Sequence, residues 1–143
     1  MKIIKVLFIS IFLIFFIYWI FSYIKNEILT IKYGTEFTGL YKMTNMIDDV
    51  DKLKVIFYSN EIAHVYYFDI NSGNILDFNK INDKWEMTKW RTAWSKMGSA
   101  DNFEWPYIYH SAKGKAILLL IGLLYLGFIV VNSKDFIKHR LEK

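Results

Sequence analysis

Three aspartates that lie close together in the sequence are the residues most similar to catalytic groups. Asp48, Asp49 and Asp51 could bind a divalent cation, or could act with His64 as the acid and base of a membrane-tethered hydrolase. They also fit the solvated first turn of a short helix, where negative charge complements the helix dipole. We favour the helical interpretation and keep the hydrolase as an alternative.

The segment Asp69-x-Asn71-x-Gly73-Asn74 resembles the start of an EF-hand calcium loop. Such a loop needs an oxygen ligand at position 5, glycine at position 6 and glutamate at position 12. Gly73, Asn74 and Lys80 occupy these positions here. We therefore interpret the segment as a β-turn.

Other sequence motifs of metal sites and of enzyme active sites are absent. His64, His110 and His139 are the only histidines, and none has another histidine or a cysteine at ligand spacing. The chain has no cysteine, which excludes disulfides, thiolate metal sites and cysteine nucleophiles. Phosphate-binding glycine loops, GxSxG and HExxH are also missing. We expect a protein that is not an enzyme and that holds no cofactor or metal.

Aromatic and basic residues in the second half of the chain resemble a recognition surface. Trp, Tyr and Arg dominate the hot spots of protein interfaces. The candidate partner-binding residues are Trp85, Trp90, Arg91, Trp94, Lys96 and Trp105. The same rings would also suit the core and the bilayer contacts of a small β-domain, and the sequence leaves both interpretations open.

Two uncharged, apolar segments flank the part of the chain that carries these residues. Residues 6–24 would span about 28 Å as a helix, and residues 116–133 about 27 Å, close to the hydrocarbon thickness of a bilayer. The first helix is expected to continue to about residue 33. A cleaved signal peptide is the alternative for this first segment, but bulky residues replace the small ones of a cleavage site before Lys25. We predict two transmembrane helices.

Aromatic and basic side chains lie at the ends of both segments, where they would anchor the chain in the bilayer interface. The predicted anchors are Tyr18, Trp19, Tyr23, Trp105, Tyr107, Tyr109, Lys134, Lys138 and Arg140.

The net charge of +4 has an uneven distribution that indicates the orientation. Residues 25–115 contain twelve basic and twelve acidic residues, so the whole excess flanks the apolar segments. Positive flanks remain in the cytoplasm. We therefore expect residues 1–5 and 134–143 in the cytoplasm and residues 25–115 outside an inner or plasma membrane, in a bacterium by composition. A neutral domain argues against nucleic-acid binding.

The exported domain is predicted to be an antiparallel β-meander with one short helix. We expect an edge strand over 35–41, then a helix after Thr44 or Asn45, and strands over 55–59, 62–70, 75–81 and 85–94. Turns are expected at 60–61, 71–74 and 82–84. Strict alternation along the last strand would place Trp90 and Trp94 on one face, with Glu86, Thr88 and Thr92, and Arg91 on the other.

The string YYFDINSGNILDF resembles the strand-turn-strand repeat of quinoprotein-type β-propeller blades. It occurs once, whereas a propeller needs several blades, so the resemblance implies a hairpin and neither a propeller fold nor its cofactor.

The function that we predict is a non-enzymatic accessory or binding role. The exported domain would contact another membrane or envelope protein, as a subunit of a larger complex, or would act as an immunity or exclusion protein against a toxin or phage. The sequence leaves the oligomeric state open.

Overall fold

The computed structural model describes residues 2–47, 49–98 and 100–141, and gives side-chain surroundings for residues 4–132 outside the two gaps. The elements are α1 (Lys2–Tyr33), β1 (Lys52–Tyr58), β2 (Ile62–Phe68), β3 (Ser72–Ile81), β4 (Lys84–Ser95) and α2 (Ala112–Leu141). The strands form one antiparallel sheet in the order β1-β2-β3-β4. The predicted meander between two long apolar helices is confirmed. Asp48 and the side chains of Lys134, Lys138 and Arg140 lie outside the described part of the structure.

Both helices are long and apolar enough to cross a membrane. The candidate spans are Ile4–Phe37 and Ala112–Asn132, with mean hydropathies of 2.5 and 2.4, and the most apolar stretch of each has almost no buried side chains. The helices contact each other through stacked rings, with Phe8 against Phe128 at 4.8 Å and Phe12 against Tyr125 at 4.6 Å. The large apolar surface that remains exposed around this pair has no partner within the described residues.

The last turns of α1 run alongside the edge strand β1. The Thr30 hydroxyl accepts the backbone N–H of Val55 at 2.9 Å, where a bulge interrupts the strand. Lys54 forms a salt bridge with Glu27, and Tyr33 stacks on Tyr58 with ring centroids 3.6 Å apart. The helix therefore extends beyond residue 24, as predicted, and covers an edge that could otherwise pair with another chain.

The edge strand predicted over 35–41 is wrong. Gly34–Phe37 and Leu40–Met43 form two 3-10 turns, joined at Gly39, whose φ of +80° suits glycine. This path places Phe37 under the sheet, fully buried, and lets the Tyr67 hydroxyl donate to the Phe37 carbonyl at 2.8 Å. Burial of one large ring outweighs the local preference for an extended segment.

The short helix predicted after Thr44 or Asn45 is also wrong, since the described residues between 44 and 51 contain no helix. The Asp51 N–H already bonds to the Phe68 carbonyl at 3.2 Å, so pairing with β2 starts just before β1. Ile47, 7% exposed, reaches the core from a turn. Pairing with the sheet overrides the helical spacing of the apolar residues.

Two tight turns connect the later strands. Asn82 and Asp83 have φ values of +50° and +61°, the geometry of a two-residue type I′ hairpin. The turn predicted at 71–74 lies slightly earlier, because Asp69 accepts the N–H groups of Asn71 and Ser72 and β3 begins at Ser72. The Asp69 carboxylate thus stabilises a turn, and the hairpin of β2 and β3 is confirmed.

Both faces of the sheet are packed. We call one the helix face, because the end of α1 and the 3-10 turns cover it; its buried residues include Phe37, Val55, Val65, Leu76 and Phe78. We call the other the loop face, because Tyr107 from the segment before α2 packs there on Tyr66, Ile75 and Trp94. The sheet therefore lies in the middle of three layers.

Candidate functional site

The predicted binding residues on β4 are distributed over both faces of the sheet. Trp90 pairs with Leu76 and packs on the helix-face core, whereas Trp94 pairs with Gly73 and packs on the loop face. The register shifts between Gly73 and Asn74, so the strand holds an extra residue between the two tryptophans. The prediction that Trp90 and Trp94 share a face is therefore wrong.

A second shift in β4 changes the face of Trp85. The register also slips between Asp77 and Phe78, which brings Trp85, Met87 and Trp90 to the helix-face core. Trp85 is 8% exposed, and its Nε1–H donates to the Glu36 carboxylate at 2.8 Å. A side chain this buried offers little area to a partner, so we assign Trp85 to the core.

Trp94 is held in a buried hydrogen-bonded chain on the loop face. Its Nε1–H donates to the Tyr66 hydroxyl at 2.6 Å, and that hydroxyl lies 2.9 Å from Nδ1 of His110. A Cβ at Gly73 would lie 2.2 Å from the Trp94 Nε1 and 2.4 Å from the Tyr66 oxygen. Glycine is needed to admit these two rings, and Trp94 also belongs to the core.

Trp105 lies against the first long helix. Its ring stacks on Tyr18 with centroids 5.4 Å apart and meets Phe15 edge-on at 5.7 Å. The next residue, Pro106, accepts the Nε1–H of Trp19 at 2.6 Å.

The aromatic anchors predicted for the bilayer interface make contacts between α1 and the segment before α2. Tyr23 meets Tyr107 at 5.7 Å, and Tyr107 meets Tyr109 at 6.5 Å. Together with the Tyr18, Trp19 and Trp105 contacts, these rings join the segment before α2 to α1. All six predicted aromatic anchors are therefore brought together, although they come from two distant parts of the chain.

Trp90 borders a groove at the end of the sheet near the turn between β2 and β3. This Trp90 groove has a volume of about 530 Å³, within the range of small-ligand and peptide pockets. Its apolar lining is Trp90, Ile47, Met46 and Met97. Met46 is 66% exposed and Met97 95% exposed, so both can adapt to a partner.

The polar wall of the Trp90 groove is ordered by its own hydrogen bonds. Thr92 donates to the side-chain carbonyl of Asn74 at 3.0 Å, and the Asn74 amide donates to Ser72 at 3.2 Å. The Lys96 ammonium donates to the Asn71 side chain at 3.3 Å, and Asp49 and Asp69 also line the groove. The lining therefore presents amides, hydroxyls, one ammonium and two carboxylates.

The indole N–H of Trp90 is buried without an acceptor among the described residues. A buried donor without a partner costs about 1–3 kcal/mol. Trp90 therefore combines a buried, unpaired N–H with a ring that borders a groove between two exposed methionines.

Arg91 lies outside this groove. It faces Glu104 at 3.4 Å, with the Arg91 side chain about half exposed. Burial raises the pKa of Glu104 although Arg91 opposes that shift. The contact is a structural ion pair, and it makes Arg91 a suitable control for Trp90.

The acid–base pair of the hydrolase alternative is not brought together. His64 lies beside Asp77 on the neighbouring strand, with Nδ1 2.6 Å from the carboxylate. Asp51 bonds to Phe68, four residues further along β2, which separates the two backbones by about 13 Å. Asp49 lines the Trp90 groove on the helix face, whereas Asp77 and His64 lie on the opposite one. The structure therefore does not bring His64 together with Asp49 or Asp51, and Asp48 lies outside the described residues.

Among the residues that the structure describes, no three His, Asp or Glu side chains are close enough to hold a metal ion. Comparison with family models, with curated proteins and with solved structures found no match to the chain.

Proposed function

We propose that the chain is a two-pass membrane protein whose sheet domain binds a segment of another envelope protein in the Trp90 groove. The role is one of binding and not of catalysis, and the domain faces away from the cytoplasm. Two long apolar helices with exposed apolar side chains support the membrane placement. The basic residues beyond both apolar segments support the orientation.

The groove beside Trp90, rimmed by the exposed Met46 and Met97, is the observation that carries the binding proposal. An apolar side chain of a partner would fill the space between the methionines and pack against the Trp90 ring. Trp85, Trp94 and Trp105 do not line the groove. Among the candidate partner-binding residues, Trp90 and Lys96 are the two that line the groove.

The partner that we favour is an extended peptide segment. The polar wall offers donors and acceptors in a fixed arrangement, which suits main-chain hydrogen bonding. The groove is lined by charges of both signs, Lys96 with Asp49 and Asp69, so it selects by hydrogen bonding and shape more than by net charge.

The test is affinity purification of the full chain from detergent-solubilised membranes, followed by quantitative mass spectrometry. Trp90→Ala should lower the recovery of a stoichiometric membrane partner, because loss of a hot-spot tryptophan costs about 2 kcal/mol or more, roughly thirtyfold in affinity. Trp90→Phe keeps the ring and removes the N–H, and should give a smaller loss. Arg91→Ala is the control and should recover the partner normally.

Equal recovery from all of these variants would contradict the assignment of the groove. An orphan chain that protects cells against a toxin or phage would favour the immunity function instead.

A further inference from the structure

A second cleft opens at the start of β1, beside the first turn of α2. Its volume is about 280 Å³, and Lys52, Tyr109, His110 and Lys115 are among its lining residues. Lys115 is the last charged residue before the apolar stretch of α2. In a membrane-spanning chain, this cleft lies at the level of the lipid headgroups.

Two lysines give the cleft positive charge that is available to a ligand. Lys52 and Lys115 are both exposed, and neither forms an ion pair with a carboxylate among the described residues. Both lie close enough to His110 to disfavour its protonated form. Two ammonium groups near an imidazole whose protonation they disfavour are suited to an anion.

His110 supplies a neutral hydrogen-bond donor to the same cleft. The Tyr66 hydroxyl accepts the Trp94 N–H and lies 2.9 Å from Nδ1 of His110, to which it can donate its own proton. Burial, with Lys115 and Lys52 nearby, lowers the pKa of His110 to about 4, so the ring is neutral at physiological pH. With Nδ1 accepting from Tyr66, the ring proton is on Nε2 and is available to a ligand.

The carboxylates of the cleft limit what it can bind. Asp69 accepts two backbone N–H groups in its own turn, which satisfies much of its charge. Asp51 is exposed and free of ion pairs among the described residues. A ligand with both a phosphate and an amine matches this lining, since Lys52 and Lys115 suit the phosphate and Asp51 suits the amine.

An apolar groove along α1 shares Tyr109 with the cleft. It is lined by Trp19, Ile20, Tyr23 and Tyr109, with a volume of about 340 Å³, and Tyr109 borders both spaces. A single ligand with a charged head and a hydrocarbon tail can occupy the two together. A free phosphate ion would leave the groove empty.

We propose that this composite site binds one membrane phospholipid, with its phosphate between Lys52 and Lys115 and an acyl chain on the groove beside Tyr109. The inference rests on the proposed membrane placement and is independent of the Trp90 groove.

The experiment measures lipid binding to the full chain in detergent by native mass spectrometry. Phosphatidylethanolamine is the probe, and diacylglycerol, which lacks the phosphate, is its control. The double variant Lys52→Gln with Lys115→Gln should bind the phospholipid about tenfold more weakly, because two charge-assisted contacts are lost. Lys84→Gln, an exposed change at the turn between β3 and β4, should bind like the wild type.

Equal binding of the phospholipid by the double variant and the wild type would overturn the inference, as would equal binding of diacylglycerol by the wild type. Protease resistance of the double variant confirms that the domain is folded. Release of the wild-type chain from membranes by alkaline carbonate would contradict the membrane placement itself. A chain that resists carbonate while the double variant keeps its lipid would contradict the lipid site alone.

Discussion

Trp90 and Trp94 lie on the same strand but on opposite faces of the sheet, because β4 holds an extra residue between them. Trp94 is 7% exposed and hydrogen-bonded to Tyr66, whereas Trp90 borders a groove and its N–H has no acceptor among the described residues. Under the proposed function, Trp94 stabilises the domain and Trp90 binds the partner.

Replacement of Trp94 by alanine should destabilise the domain by about 3–5 kcal/mol, since it removes a buried ring and leaves Tyr66 without its donor. Protease resistance of the domain in detergent measures the effect. Trp90→Ala should destabilise the domain less, because Trp90 is only half-buried, and Arg91→Ala should have little effect on its stability. Equal resistance of Trp94→Ala and the wild type would contradict the packing of the loop face.

Thr30 links the first helix to the sheet. Thr30→Val should destabilise the domain by about 1–3 kcal/mol, because the buried N–H of Val55 loses its acceptor while the shape of the side chain is kept. Thr30→Ser retains the hydroxyl and is the matched control. Urea unfolding followed by tryptophan fluorescence compares the two variants, and equal midpoints would contradict the edge contact.

His110 should make the domain less stable in mild acid. Its pKa is about 4 in the folded protein against an ordinary value of 6.5, so the unfolded chain binds more protons between these values. The contribution of neutral His110 to the free energy of unfolding is fully present above pH 6.5 and is lost as the pH falls toward 4. Glu104, whose pKa is raised, acts in the opposite direction. The wild type should therefore be compared with His110→Gln. The unfolding midpoint of His110→Gln should depend less on pH over this range than that of the wild type.

Orientation can be measured directly, because the chain has no native cysteine. Asn60→Cys, in the exposed turn between β1 and β2, should react with a membrane-impermeant maleimide in intact cells. Lys138→Cys, beyond the second apolar segment, should react only after permeabilisation. The reverse pattern would contradict the orientation inferred from the basic flanks.

Local patterns in the sequence were sufficient to predict the four strands and both long helices. Alternating β-branched and aromatic residues, separated by turn residues such as Asn82 and Asp83, specify hairpins within a short span of chain. The segment from Thr35 to Leu53 was predicted wrongly because its conformation depends on distant partners. Phe37 is buried against Phe78 and Trp85, which come much later in the chain.

The candidate site could be predicted only in part. Trp90 was recognised by residue type, but its face was not, because a bulge changes the phase of a strand without leaving a clear signal in the sequence. The Tyr66, Trp94 and His110 network joins three separate segments, and nothing in the spacing of these residues indicates it. Gly73 was the available clue, since a glycine within a strand often marks a close approach.

The central claim is that the Trp90 groove receives another protein, and site-specific photo-crosslinking in intact membranes tests it most directly. A photoreactive residue placed at Met46 or at Met97, on the exposed rim, should give the same discrete adduct. Trp90→Ala should abolish that adduct while the chain remains resistant to protease. A photoreactive residue at Asn60, at the opposite end of the sheet, should give none. Adducts of equal yield from Asn60, or adducts at Met46 and Met97 that persist in Trp90→Ala, would contradict the account.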